Sequence, residues 1–157
     1  MGQFFIGLFV VIALILVVIS QASRRFYLNA AEEVLQMPRQ GYGNQKFREE
    51  MLKPLPPIVQ KWLTRSGVIG KTRISNVFLK QNGHMRTKIN SKWMPVTAEQ
   101  NFTVKEPAFI WIADITAAPY IHIAGRDKYQ NGRGQMLIKF LSLFKVVDAS
   151  GKAHYNR

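Results

Sequence analysis

Ala108-Phe-Ile-Trp-Ile-Ala-Asp-Ile115 decides the fold. As an extended chain it points Phe109, Trp111, Ala113 and Ile115 one way and Ile110 and Ile112 the other. A strand apolar on both sides is covered on both, by a helix, a second layer or a bound apolar ligand. Outward from it, Tyr120–Lys128 alternates, and Asn131-Gly-Arg-Gly134 reads as the next turn. Upstream, Trp93–Val104 sets Met94, Val96, Ala98, Gln100, Phe102 and Val104 against Thr97, Glu99, Asn101 and Thr103. Gln81-Asn-Gly83 predicts a hairpin between strands at Ile74–Lys80 and His84–Ile89. Gln135–Val147 reads as a strand, a bend near Leu141–Leu143 and a second strand ending at Asp148. Ala149-Ser-Gly151 then predicts a turn, with Lys152–Arg157 opening a short partner strand. The class is α+β: helices, then an antiparallel meander of about six or seven strands forming a partial or open barrel-like sheet. Such an open sheet leaves an unpaired edge, so the expectation is a marginal, incomplete fold that self-associates there or leans on the membrane or further chain.

Three helical segments precede the sheet. In Leu55–Gly67, Pro56 and Pro57 suit the first turn, Ile58, Trp62 and Leu63 share a face, and Gly67 fits the end. Asn44 is positioned to cap a short helix through Met51. Ala30–Gln36 extends a helix that Pro38 stops. Before it runs FFIGLFVVIALILVVI, Phe4–Ile19, without a polar face. With its flanks the run reaches about 33 Å as helix, against a bilayer core of about 30 Å. A cleaved signal peptide would use Ser20-Gln-Ala22 as its site, but no Lys or Arg precedes the run. A buried hairpin helix of a soluble protein is a further reading. The preferred one is an uncleaved, single-span anchor of the bacterial plasma membrane. Arg24 and Arg25 follow the span, with Arg39 beyond, which favours a cytoplasmic body. The chain thus divides into a transmembrane anchor at 1–23, a helical linker at 24–53 and a β-rich domain at 54–157.

Composition removes several functions. With 157 residues there is room for one domain and an appendage, not for separate cofactor and substrate lobes. The absence of Cys excludes disulfides, thiolate zinc, Fe–S clusters and a cysteine nucleophile. A formal net charge of +13 favours polyanionic partners, either nucleic acid or an anionic lipid surface. Nucleic acid is not expected, because no RNA-recognition signature or finger spacing occurs and Trp62, Trp93 and Trp111 sit on core-like patterns. Gly67-Val-Ile-Gly-Lys-Thr72 resembles a phosphate loop, yet Arg65 occupies the position of the first Gly, and a helix precedes it. His84, His122 and His154 form no ligand spacing, so neither metal nor cofactor is expected. His122, beside Ile121 and Ile123, reads as a hydrogen-bonded structural residue. Asp114 and Asp127 fall in neighbouring strands and are the candidate acid/base dyad, although Asp127, flanked by Arg126 and Lys128, fits an ion pair better. No catalytic residue is assigned, and an enzyme is not expected.

Five segments in order carry a resemblance: LPPIVQKWLTRSGVIGK (Leu55–Lys71), LKQNGHMR (Leu79–Arg86), WMPVTAEQ (Trp93–Gln100), PAFIWIA (Pro107–Ala113) and RDKYQNGRGQM (Arg126–Met136). The chain resembles a family of uncharacterised bacterial proteins whose domain of unknown function often follows N-terminal membrane spans. The likeness covers Leu55–Lys152, and family members continue past this chain's last residue. It implies no activity, cofactor or catalytic residue. The Pro-x-Phe-x-Trp strand and its hairpin also resemble periplasmic lipoprotein-carrier domains, an analogy of form. The leading expectation is a membrane-anchored module binding a lipid or other apolar ligand in the concavity of its sheet. Phe109, Trp111, Ile121 and Ile123 are the ligand-binding candidates, and Arg24 and Arg25 face anionic headgroups. The alternatives are a structural or assembly partner of a membrane complex, and an enzyme acting on envelope lipid through Asp114 or Asp127.

Overall fold

The computed structural model describes residues 2–152. Helix α1, Gly2–Leu35, runs unbroken from the apolar segment into the body. Its first part is bare: a window of mean hydropathy 2.9 has no residue buried. Its last part is amphipathic. Phe26, Ala30, Val34 and Met37 repeat at helical spacing from α1 into the turn after it and meet the sheet, with Phe26, Ala30 and Met37 buried. The helix ends before Pro38. A 3-10 turn, Glu49–Leu52, follows with Arg48 rather than Asn44 at its start. Helix α2, Pro57–Arg65, begins with Pro57 at its first turn, and Gly67 takes the left-handed conformation at φ 66° beyond its last residue.

Six strands then form one antiparallel sheet in sequence order: β1 Asn76–Met85, β2 Met94–Thr103, β3 Ala108–Ala118, β4 Ile121–Gln130, β5 Arg133–Phe140 and β6 Phe144–Lys152. The expected hairpin at Gln81-Asn82-Gly83 does not form. Those residues continue β1, opposite Ala98, Thr97 and Val96. The β2 register reaches past them to Met85 and Met94, and Gly83 keeps a backbone that needs no left-handed turn. Residues 86–93 turn the chain instead, with the Ser91 hydroxyl donating to the Lys88 carbonyl at 2.9 Å and accepting from the Lys88 N–H. Ala149-Ser150-Gly151 is likewise strand, paired with Met136, Gln135 and Gly134, so the turn expected there is replaced by continued pairing. Of the partner strand expected at 152–157, Lys152 closes β6; 153–157, with His154, lie outside the described residues.

The two faces differ. Helix α1 covers one, packing on β3 and β4, where Met37, Ala108 and Ile110 form a buried cluster flanked by Val34 and Ile112. Ile110, 1% exposed, is its centre. On the opposite face Phe109 and Trp111 are half-exposed, Ala113 and Ile115 are buried, and α1 does not lie there. The two-sided cover expected of this strand is thus complete on the helix side and partial on the other, where only the Ala113–Ile115 end is buried. Trp62 and Trp93 are also not core: they are 66% and 53% exposed, because α2 buries no residue and Trp93 precedes β2 in a turn.

Candidate functional site: the open face of the sheet

Alternation and register bring one row of aromatics together across three strands. Phe102 of β2 pairs with Phe109 of β3, and Phe109 with Tyr129 of β4. The Phe109 ring stacks on Tyr129, 16° from parallel with centroids 6.2 Å apart, and lies 6.1 Å from Phe102. Each such pair is worth about 0.5–1.5 kcal/mol beyond its burial, which orders the row. Trp111 stands one position along, between Gln100 and Asp127. Its indole N–H donates to the Gln81 Oε1 at 2.8 Å, and Gln81 in turn donates to Gln100 at 3.4 Å. A Cβ at Gly125 would touch the Trp111 ring at 3.6 Å, so glycine there lets the ring lie close to β4. Beyond, Ala98, Ala113 and Ile115 are buried, and Ile115 pairs with Ile123. On the far side Gly134 and Gly151 pair and leave open space above the sheet beside Tyr129.

Of the four ligand candidates, Phe109, Trp111 and Ile123 share this face, and Ile121, two positions before Ile123, continues it at the end of β4, 36% exposed, where the β3 register shifts between Thr116 and Ala118. Sequence reading missed Tyr129 and the glycine strip, although the β4 alternation Ile123, Gly125, Asp127, Tyr129 carries the signal.

The carboxylate dyad does not exist. Asp114 and Asp127 lie on opposite faces because they sit opposite Ala124 and Trp111, an odd number of β4 positions apart. Asp114 instead bonds the His122 Nδ1 at 2.9 Å, so His122 is hydrogen-bonded as expected, in a half-exposed setting. Asp127 forms no ion pair among the described residues; its flanking cations turn to the other face. There Arg126 Nε and Lys128 Nζ reach Glu33 Oε2 of α1 at 3.4 and 3.6 Å, without a close hydrogen bond to that oxygen. This clamp fastens the helix to the sheet. Nearby, burial, assisted by the Asp114 charge, raises the Tyr27 pKa well above that of an ordinary phenol. No group of three His, Asp or Glu side chains able to hold a metal ion occurs among the described residues.

The chain matches the model of one protein family over residues 45–157, a span that takes in α2 and the whole sheet and leaves α1 outside. No curated protein and no solved structure gives a match. With its sheet inside that span, the chain belongs to the Family of unknown function (DUF6544).

Proposed function

We propose that this protein is a membrane-anchored, non-catalytic module that holds an apolar acyl ligand against the open face of its sheet. The carrying observation is the Phe102–Phe109–Tyr129 row with Trp111 beside it, apolar and without cover among the described residues. Six strands span about 24 Å, and eight residues of strand about 26 Å, so the face is of order 600 Å². An acyl chain suits it because the face offers rings, methyls and glycine surface but only Gln81, Gln100 and Asp127 as polar neighbours of Trp111. The anchor rests on α1, long and apolar enough to cross a membrane. Arg24 and Arg25 support a cytoplasmic body on a bacterial plasma membrane.

A protein partner covering the same face, or strand addition at the β1 edge, is the second reading; exposed Phe78 and Leu79 on that edge favour it. Detergent-purified full chain should yield bound lipid on extraction and mass spectrometry, and Trp111→Glu should abolish it. A lipid-free preparation with a stoichiometric protein on this face would replace the first reading by the second. The chain should also resist alkaline carbonate extraction with its first residues intact. A mature chain starting at Ser23 would instead identify a signal peptide. Protease outside intact spheroplasts should spare the body; digestion would put it outside.

A further inference from the structure

The contacts between α1 and the sheet fix which end of the sheet approaches the apolar part of the helix. Ala108 clusters with Met37, whereas Asp114 lies at Tyr27. Thus β3 runs back towards the N-terminus of α1, covering about 20 Å of strand against about 15 Å of helix. Ala118 is another 13 Å or so along, which brings the β3–β4 turn about level with residue 20 of α1. The β5–β6 turn arrives at the same height: Ser142 and Leu143 share a cleft with Ala22, Arg25 and Phe26. Lys139 Nζ stands 5.9 Å over the Phe26 ring. The β1–β2 turn is the third, because Val96 pairs with Ile115 and the chain continues past that row to 86–93.

These three turns share a composition. Tyr120 is 93% exposed in a left-handed conformation, Ile89 is 80% exposed, and Phe144 and Val146, where β6 leaves its turn, are each 64% exposed. Trp93 stands out with the Arg86 guanidinium 4.7 Å from its ring. Segments 86–93, 119–121 and 141–146 hold Arg86, Lys88, Lys92 and Lys145 and no carboxylate. Among the described residues, only Lys145 of these cations has an acidic partner, Asp148 at 2.6 Å. The turns at the other end, 104–107 and 131–132, bring Lys105, Glu106 and Asn131, with Lys105 beside Gln40 beyond the helix.

We propose that the three turns form a docking rim in the headgroup layer of the bilayer that α1 crosses. Tyr120, Trp93, Ile89 and Phe144 enter the interface, and Arg86, Lys88 and Lys92 hold anionic phosphates. Amphipathic aromatics settle at that depth, and basic residues beside them are attracted to anionic lipid. The occupant is the bilayer rather than a protein, because the rim stands at the helix's own exit height, next to Arg24 and Arg25. The proposal rests on the anchor reading and is independent of the acyl ligand.

The chain lacks Cys, so single labels are clean. Full-length I89C, Y120C, F144C and, at the other end, N131C are spin-labelled and reconstituted in phosphatidylcholine vesicles containing phosphatidylglycerol. Flotation with the vesicles tests the anchor separately. In floated protein the first three labels should collide with oxygen several-fold more, relative to a soluble nickel chelate, than N131C does. Equal chelate access at all four in floated protein overturns the rim, and I89C and F144C decide if Y120C fails to fold. The triple variant R86Q/K88Q/K92Q should raise chelate access at Y120C; no change there overturns the phosphate contacts.

Discussion

The helix lies on the more charged face of the sheet, and the more apolar face is left open. Beneath α1, β4 presents Arg126 and Lys128, and β3 presents Asp114 beyond Ile110 and Ile112. On the open face the same strands present Phe109, Trp111, Ala113 and Tyr129. A packing rule based on hydrophobicity alone would put the helix on the second face. The helix instead matches the first through a short apolar patch plus Glu33 between two cations. The position of the helix is therefore set by specific complementarity, not by apolar area alone.

The contrast breaks most readily at the paired positions Ile110 and Phe109. Ile110→Ala empties a fully packed site and should cost about 2–5 kcal/mol. Phe109→Ala, on a half-exposed ring, should cost distinctly less in urea unfolding of ligand-free protein, despite the larger side chain removed. Equal losses would mean that the open face is covered. Glu33→Gln leaves Arg126 and Lys128 without their carboxylate, and a partly buried pair of this kind should cost about 1–3 kcal/mol. No change in unfolding midpoint would leave the apolar patch alone to seat the helix.

Tyr27 sharpens the same comparison by pH. Its folded pKa is raised, mainly by burial against the sheet, so its stability contribution is full below the ordinary phenol value of 10.0. That contribution falls as pH rises beyond it. Alkaline titration should show one phenolate forming after the others, and Tyr27→Phe should remove the late step; a Tyr27 that ionises with the rest would mean the helix stands off the sheet. The smallest effect belongs to Asp148, whose pKa is lowered chiefly by its hydrogen bond from Lys145 and then by that residue's charge. A depressed carboxylate stabilises above its unfolded pKa and loses this as pH falls through the folded one. Because the pair is exposed, Asp148→Asn should alter unfolding only slightly, and only above the acid range. A loss comparable to that of Glu33→Gln would mean that exposure does not set the difference.

The α+β order, the bare N-terminal run, the alternation of β2 and the two-sided β3 were legible in the residues, because side-chain period and helix-ending residues act over a few positions. So was the grouping of Phe109 and Trp111, which needs only a period of two. Tertiary structure alone decided that Gln81-Asn82-Gly83 stays extended: ten paired positions with β2 outweigh a local turn preference. It alone separated Asp114 from Asp127, since register, not proximity in sequence, sets the face. It alone seated Glu33 between Arg126 and Lys128, about ninety residues away, where charge complementarity has no local signature. And it alone left one side of β3 open, because cover depends on where a remote helix finds its match.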